Sequence, residues 1–319
     1  MEDKFPLLSI CIPTNGIVEW VIPVLKSIYS QKADNSLFEV VVTDNGNSSA
    51  LSKAVEIFKY DNFRYYKTSS PGFTNQIDAF EKCRGEFCKM LNHRSRMLPG
   101  SIEALLSIIR KYRKKKPIIY CAEGCAKGGE FIECKNLDEL VNALGYYFSW
   151  SAGIGAWKED LSTLREKQID KMFPHILFLA GLRKESEYVI WNGIYEQMAN
   201  DTGKGGYNVF QTFAVNFLDI LIGLKTEGRI SQNTFVGVKN QLYKFLVSLY
   251  IHEVILPTKH TFIIENVRDS ISVYYGLYYY RKMILKAYIG TLYFGLRKVK
   301  EIITINLHIF RPFNENENS

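Results

Sequence analysis

Short apolar runs alternate with amphipathic helical segments through the first 124 residues, and this alternation constrains the fold more than any other feature. The strand-like runs are LLSICIP (7–13), FEVVVTDNG (38–46), FRYYKT (63–68), GEFCKML (85–91) and PIIYCAEG (117–124). Segments with helical spacing lie between them, at 18–31, 48–60, 73–83 and 99–116. Such alternation predicts an α/β fold with a doubly wound, mostly parallel sheet flanked by helices.

Composition and charge limit the classes of protein that this chain can form. The 319 residues are 47% hydrophobic, enough for a sizeable core, and the net charge of +7 favours anionic partners. The six cysteines show no CxxC spacing, so we expect a reducing cytosol and no disulfide framework. The chain begins without a signal-peptide pattern, and no apolar stretch of about 18 residues is free of charge. We therefore expect a cytoplasmic protein without a membrane-spanning helix.

Polar residues follow the first two strands at the points where these strands end. The segment Pro13-Thr14-Asn15-Gly16 ends the first strand, and Asp44-Asn45-Gly46 ends the second. In a parallel sheet two such neighbouring loops form a crevice that binds nucleotides. A carboxylate there can accept hydrogen bonds from a base or a ribose, although Asp44 could equally be a turn residue that caps the next helix. The absence of GxGxxG and GxxxxGK[ST] argues against a dinucleotide fold and a P-loop.

The fourth strand ends in the basic sequence NHRSR, residues 92–96. Arginine guanidinium groups match phosphate oxygens in a bidentate fashion, so Arg94 and Arg96 could bind a diphosphate, with His93 as a further donor. The alternative is that both arginines are solvated on a loop.

The ordered set LSICIPTNG, SIYSQ, FEVVVTDNGNSS and GEFCKMLNHRSRMLPGSIEALL resembles the family 2 glycosyltransferases of the GT-A type. Within them it looks most like the abequosyltransferase-like group that builds bacterial O-antigen and capsule. The resemblance covers residues 5–125 well and thins out towards 220. It implies inverting sugar transfer from a nucleotide-diphospho-sugar to a bacterial surface polysaccharide, through a saccharide or lipid-linked saccharide acceptor.

This resemblance also divides the chain and assigns its residues. Residues 1–222 would form a GT-A-like domain, with a nucleotide-binding half at about 5–125 and an acceptor half at about 126–222, and 223–319 a helical C-terminal region. Pro13, Thr14 and Asp44 would contact the base and ribose. The full predicted nucleotide-sugar site is Pro13, Thr14, Asn15, Asp44, Asn45, Asn75, His93, Arg94 and Arg96.

The sequence departs from the resembling enzymes at one place. They usually carry an aspartate-rich triplet before LPG, where carboxylates hold Mg²⁺ or Mn²⁺. Here that triplet falls on His93-Arg94-Ser95, side chains that cannot build a hard-cation site. We therefore expect no metal and no cofactor, with arginine cations stabilising the leaving diphosphate. A catalytically inactive scaffold or partner subunit stays open, as does Mg²⁺ or Mn²⁺ bound through residues not identified.

A base is needed to take the proton from the acceptor hydroxyl. In the resembling enzymes it is commonly a carboxylate at a helix start, and here His175 falls at that position, after Pro174. We predict that His175 lies in the first turn, faces the crevice and acts as the base, with Asp170 as the second candidate. A buried core histidine is the alternative. The glycine-rich loop GKGGYN offers Tyr207 and Asn208 as acceptor-binding residues, although it could be an ordinary loop.

Basic and aromatic residues are interleaved near the C-terminus. From Arg281 to Arg311 there are seven lysines or arginines and one acid, Glu301. This composition favours peripheral contact with an anionic membrane, on the inner face of the cell membrane. A helical bundle or a homo-oligomer interface is the alternative. No RRM, KH or helix-turn-helix pattern accompanies the basic residues, so we expect no nucleic-acid partner.

Overall fold

A computed structural model describes residues 5–199, 205–256 and 259–309 of the chain. Its first elements are β1 (Leu8–Thr14), α1 (Val18–Tyr29), β2 (Phe38–Asp44), α2 (Ala50–Ala54), β3 (Phe63–Lys67), α3 (Asn75–Glu81), β4 (Phe87–Met90), β5 (Ser95–Met97), α4 (Ser101–Tyr112), β6 (Ile118–Cys121), β7 (Phe131–Cys134) and α5 (Leu137–Leu144). The later elements are β8 (Gly155–Trp157), β9 (Tyr188–Trp191), β10 (Glu196–Met198), β11 (Gly205–Asn208), α6 (Val209–Gln211), α7 (Phe217–Thr226), α8 (Gln232–Tyr250), β12 (Thr261–Ile263) and α9 (Val267–Ile309). Each of the five strands predicted up to residue 124 is present.

The main sheet has the strand order β3-β2-β1-β4-β8. The first four of these strands are parallel, and Thr14 pairs with Asp44 at the ends of β1 and β2. Only β8, at the edge, runs antiparallel to β4. Because β1 and β2 are buried on both faces, they read as continuous apolar runs. The predicted α/β class with a mostly parallel, helix-flanked sheet is confirmed.

A second group of strands continues this arrangement. The order is β6-β9-β7, with β6 and β9 parallel. Tyr120 of β6 pairs antiparallel with Ile154, next to β8. Since β8 is itself antiparallel to β4, β6 and β9 run in the same direction as β1, β2 and β4. The carboxyl ends of these five strands therefore face one common edge.

The described chain forms two compact units. The first contains residues 1–201 and 219–241, and the second contains 202–218 and 242–319. This division differs from the single boundary predicted at residue 222. Two of the three boundaries between the units, at 218/219 and 241/242, fall within helices α7 and α8, and a continuous helix shows none of the composition changes that mark a linker.

The second unit combines helices with one short pair of strands. β11 and β12 pair in parallel, so the predicted helical region at 223–319 also contains one short strand, β12. The long helix α9 is interrupted at Gly276, whose φ of 79° breaks the helical backbone. Glycine tolerates that angle because it has no Cβ.

One helical segment among the described residues, Val209–Thr226, is long and apolar enough to cross a bilayer. Of its residues, 44% are buried inside the protein. The expectation that no segment is apolar enough to span a membrane therefore does not hold for this helix by length and composition.

Candidate active site

The two strand-end loops predicted to form a crevice are in direct contact. The backbone N–H of Asn45 donates to the carbonyl of Thr14 at 3.0 Å. A Cβ at Gly46 would lie 2.0 Å from the carbonyl oxygen of Asn15, so only glycine allows this approach. The Asn15 side chain is exposed beside the half-buried Pro13. The ends of β1 and β2 thus form one continuous polar surface.

Asp44 is fully buried at the end of β2. Its Oδ1 accepts a hydrogen bond from the backbone N–H of Gly46 at 2.7 Å. Its Oδ2 accepts one from the Tyr65 hydroxyl at 2.6 Å and one from the Lys67 ammonium at 3.1 Å. Both partners lie on β3, and sequence reasoning had not assigned either of them to the site. Asp44 is therefore held rigidly by an internal network that orients its carboxylate.

Asn75 and Asn45, which were both predicted as site residues, connect neighbouring segments through hydrogen bonds. The buried Asn75 amide donates to the carbonyls of Thr43 at 2.8 Å and Thr14 at 3.2 Å, while its oxygen accepts from Thr68. The Asn45 amide donates to the carbonyls of Ser70 and Gly72. These contacts support the shape of the crevice, and any direct contact with a ligand remains a prediction.

The basic loop lies next to this crevice. The His93 Nδ1 and the Thr14 hydroxyl are 2.8 Å apart, which joins the loop to the end of β1. The Arg94 guanidinium carbon stacks over the Trp20 ring at 3.4 Å from its centroid, and Arg94 is only 8% exposed. The Trp20 ring in turn meets the His93 imidazole edge to face. Thr14, His93 and Arg94 are thus brought together, as predicted from their strand-end positions.

Ser95 and Arg96, the last two residues of the basic loop, lie in strand β5. Its partner is β10, in which Gln197 stands opposite Arg96 and Met198 opposite Ser95. Alternation along β5 exposes the Arg96 side chain and buries Ser95. Arg96 therefore reaches solvent, whereas Arg94 is fixed against an aromatic ring.

The side chains at the triplet position do not fit a divalent metal ion. His93 is engaged with Thr14, Arg94 is a cation, and Ser95 is a neutral buried hydroxyl. Hard divalent ions prefer several oxygen ligands, mostly carboxylates. Within the ranges that the structure describes, no group of three His, Cys, Asp or Glu side chains is placed to hold a metal.

A group of residues that was not predicted from the sequence, the buried carboxyl cluster, contains Glu196 of β10 and Glu123 after β6. Lys89 of β4 and Ser95 of β5 lie near these two carboxyl groups. The Lys89 ammonium donates to the backbone carbonyls of Met90 and Ala152. Burial raises the pKa of Glu196 to about 8; the Glu123 carboxylate adds to the rise, and Lys89 and Ser95 offset part of it. Burial also raises the pKa of Glu123, which Lys89 and the Glu196 backbone partly offset.

One signal in the sequence could have revealed part of this cluster. Glu123 follows a predicted strand in CAEG, just as Asp44 follows one in TDNG, and the same strand-end rule applies to both. Lys89, inside the apolar run FCKML, was a second signal, because a lysine is almost never fully buried without a partner.

His175 does not face a crevice in this structure. It is 2% exposed, its ring meets Phe173 edge to face, and its Nε2 is buried without a hydrogen-bond partner. Burial lowers the pKa of His175 to about 3, and the backbone of Phe148 and Ser149 offsets only part of this shift. The predicted orientation is therefore wrong, because apolar packing outweighs the position after Pro174. Its role as the base remains an untested prediction, and it would require the ring to become exposed.

The remaining predicted residues lie elsewhere. Asp170 is exposed, and its Oδ1 accepts from the backbone N–H groups of Met172 and Phe173, as in a turn cap. Tyr207 and Asn208 belong to the second unit, on β11. The Asn208 side chain caps α6 by accepting from Gln211 and donates to the Glu265 carbonyl. Their acceptor-binding role stays a prediction, and residues 203–204 of that loop lie outside the described ranges.

Comparison with solved structures identifies the fold. The 1–349 portion of TarS from S. aureus is 12% identical, with a TM-score of 0.56 over 77% of this chain and 75% of that one. The chain has the GT-A glycosyltransferase fold. The mannosyltransferase PcManGT from Pyrobaculum calidifontis, solved with GDP-Man and Mn²⁺, is 13% identical, with a TM-score of 0.52 over 91% and 88% of the two chains. TarS has also been solved with UDP and with UDP-GlcNAc.

Comparison of sequences agrees with the GT-A fold. No protein-family model matches the chain. The abequosyltransferase RfbV of Salmonella typhimurium is 24% identical over 140 residues, which are 41% of this chain and 39% of that protein. The match thus spans about two-fifths of the relative's length, and it supports the resemblance to the abequosyltransferase-like group.

Proposed function

We propose that this GT-A protein transfers a sugar from a nucleotide-diphospho-sugar to a hydroxyl of a bacterial surface-polysaccharide acceptor, a saccharide or lipid-linked saccharide, without a divalent metal and with inversion. One observation carries the proposal: the basic loop, residues 92–96, lies at the carboxyl end of β4 and contacts the end of β1, which pairs with the end of β2. That edge is where ligands bind in open α/β sheets. TarS and PcManGT, which share the fold, have been solved with UDP, UDP-GlcNAc and GDP-Man.

The nucleoside would lie at the ends of β1 and β2. Asp44 is oriented by Tyr65 and Lys67, and Thr14 lies beside it in register. A fixed carboxylate accepts hydrogen bonds from base N–H or ribose hydroxyl groups. Asp44 is covered in this structure, where its Oδ2 accepts from Tyr65 and Lys67, so a ligand that bound this oxygen would compete with these two side chains.

The diphosphate would lie at the basic loop, residues 92–96. Arg94 is partly desolvated by Trp20, which strengthens its interaction with an anion compared with a solvated arginine. Arg96 is exposed on β5 and adds a second positive charge. Sugar transfer leaves a new negative charge on the nucleoside diphosphate, and fixed cations stabilise such charge without reorganisation. Because the side chains here do not fit a metal, the arginines would supply this stabilisation.

We expect sugar-nucleotide binding and turnover to be unaffected by EDTA. UDP-N-acetylglucosamine, GDP-mannose and dTDP-glucose would be titrated against the protein by calorimetry, and donor hydrolysis would be followed in EDTA and in Mn²⁺. At least one donor should bind, with hydrolysis rates in the two buffers that agree within about twofold, since no metal-bound group contributes to the barrier. Loss of hydrolysis in EDTA would contradict metal independence. Failure of every donor to bind in either buffer would instead indicate a scaffold protein.

The C-terminal helix supports peripheral contact with a membrane. Tyr278, Leu285, Ile289 and Leu292 of α9 recur at helical spacing, and each is 57–68% exposed. Lys282 lies within this exposed apolar face, with its ammonium over the rings of Tyr278 and Tyr279, and Lys286 is exposed next to Leu285. A helix with an apolar face and lysines beside it suits an anionic membrane surface. The basic stretch beyond Tyr293 has side chains outside the described set, so the proposal depends on the earlier turns.

Replacing Leu285 and Ile289 together with aspartate should weaken binding to vesicles of phosphatidylglycerol and phosphatidylcholine. Each apolar side chain contributes about 1.5–3 kcal/mol when buried, so the double variant should lose about 10²–10⁴-fold in partition coefficient. Vesicle co-sedimentation measures this loss. The matched control is Ile57→Asp, an equally exposed isoleucine of the first unit, which should bind as the wild type does. A change in oligomeric state with unaltered vesicle binding would assign the face to a homo-oligomer instead.

A further inference from the structure

The parallel strands place candidate groups in a definite order along the common edge. Across the sheet the strands run β2, β1, β4, β8, β6 and β9. Asp44 ends β2, Thr14 ends β1, Arg94 follows β4 and Glu123 follows β6. A nucleotide-diphospho-sugar with its nucleoside at β1 and β2 and its diphosphate at Arg94 extends towards β6. The sugar, and the bond that breaks, would then lie on the side of Glu123.

The buried carboxyl cluster holds an unusual number of unsatisfied oxygens. Among the described residues, both carboxyl oxygens of Glu196, the Oε1 of Glu123 and the Oγ of Ser95 are buried and make no hydrogen bond of ordinary geometry, although Ser95 lies near enough to Glu196 to lower its pKa. Glu196 is 5% exposed. Buried polar atoms are normally paired, and leaving one unpaired costs about 1–3 kcal/mol. Several in one place therefore point to a group that binds or exchanges a proton there.

The backbone conformation of Glu123 is a second, independent observation. Its φ is +52°, in the left-handed region that a residue with a Cβ seldom adopts. Gly124 follows with φ of +76°, and the Gly124 N–H donates to the Asn192 carbonyl at 3.1 Å. Such strain persists where surrounding structure holds it, often at functional sites. Here it keeps Glu123 at the edge, between the ends of β6 and β9.

The charged side chains of the cluster differ in how much of each is exposed to solvent. Lys89 and Glu196 are almost fully buried, while Glu123 is half-buried and reaches the surface. The other titratable groups in electrostatic contact with the two glutamates are the thiols of Cys121 and Cys125 and the hydroxyls of Tyr120 and Tyr195. Two neighbouring carboxyls cannot both ionise easily, so one proton is retained, and it stays on the more deeply buried Glu196. Glu123 is then the ionised member.

We infer that Glu123 is the catalytic base of the glycosyl transfer and that Glu196 positions it; the inference rests on the proposed function. The acceptor hydroxyl gives its proton to a Glu123 carboxylate oxygen as its own oxygen bonds to the anomeric carbon. The bond from that carbon to the diphosphate oxygen breaks, and its electron pair leaves with the nucleoside diphosphate at Arg94. Lys89 compensates the carboxylate charge before transfer. The proton returns to solvent after the product leaves.

Replacing Glu123 with glutamine tests this role, because glutamine keeps the shape and cannot accept the proton. Hydrolysis of the tightest-binding donor among UDP-N-acetylglucosamine, GDP-mannose and dTDP-glucose should fall by about 10²–10⁴-fold, the usual contribution of a general base. The dissociation constant of that donor should stay within about twofold. Glu133→Gln, an exposed glutamate on β7, is the matched control and should hydrolyse the donor at the wild-type rate.

Two further readouts separate a base from a merely structural residue. Sodium formate should restore part of the rate of Glu123→Ala, because a small carboxylate can enter the space and accept the proton. The acidic limb of the wild-type kcat/KM profile should be absent in Glu123→Gln. A Glu123→Gln rate within about threefold of an active wild type would overturn the inference and leave the proposed function intact. Mn²⁺-dependent turnover that this variant loses would also overturn it, by making Glu123 a metal ligand.

Failure of the proposed function gives a different result. In that case the wild type neither binds nor hydrolyses any of the three donors, and the inference falls with it. If Glu123→Gln binds the donor normally but no longer hydrolyses it, the result supports both the proposed function and the role of Glu123 as the base.

Discussion

Replacing Arg94 with alanine should lower kcat for sugar transfer or donor hydrolysis by about 10²–10³-fold while the protein remains folded. This guanidinium is the one that the loop holds in a fixed, mostly buried position, over Trp20 and beside His93. A preorganised donor or cation at developing negative charge typically contributes that much. The effect should appear in kcat more than in donor affinity, because charge on the leaving diphosphate is greatest in the transition state.

The chemistry of arginine, not only its charge, should matter at this position. Arg94→Lys keeps a cation but loses the planar fork that stacks on Trp20 and binds two phosphate oxygens, so it should recover little of the rate. Loss of the stacking contact alone costs about 0.5–2 kcal/mol of stability, too little to unfold most domains. Arg110→Ala, an exposed arginine on α4, is the control for nonspecific charge loss. Near-normal turnover of Arg94→Ala would show that the loop cations are not catalytic.

The second large expected effect is a change in how the free energy of unfolding depends on pH. Glu196→Gln should raise the free energy of unfolding by on the order of 4 kcal/mol at pH 9 and change it little at pH 5. Burial raises the pKa of this carboxyl to about 8 in the folded state, above the ordinary value of 4.5 that it regains on unfolding. The folded state thus keeps a proton that the unfolded state releases. Its contribution to stability is present below pH 4.5 and is lost as the pH rises to about 8.

Glutamine removes this penalty because it stays neutral at every pH. Denaturant unfolding of both proteins at pH 5, 7 and 9 measures the divergence of the two curves. Glu133→Gln, an exposed substitution, should follow the wild type throughout. Parallel pH dependence of wild type and Glu196→Gln would mean that Glu196 is ionised in the folded protein. It would then not be the neutral partner that leaves Glu123 as the ionised carboxylate.

The pattern of apolar and polar residues was sufficient to predict the sheet and part of the candidate site. Short apolar runs such as LSICIP, which ends at a proline, indicate buried strands, and parallel strands bring their carboxyl ends to one edge. Thr14 and Arg94 are therefore close because each follows such a run. The absence of acids at His93-Arg94-Ser95 is also a property of the sequence alone.

Other features depend on packing between distant segments. His175 looked suited to proton transfer from its position after Pro174, but apolar neighbours cover it and lower its pKa. Asn75 was placed in the site as a ligand residue, yet its amide is occupied by backbone groups of β1 and β2. Neither outcome follows from periodicity, because burial depends on which surfaces meet.

Local spacing in the sequence is enough to predict the parallel α/β sheet, the polar strand ends and the basic loop at residues 92–96. It does not reveal that Lys89, Glu123 and Glu196, far apart in the chain, come together. Secondary structure reflects local spacing, whereas desolvation and charge coupling arise only when separate elements pack against one another. Packing raises the pKa of both glutamates and removes the His175 side chain from solvent.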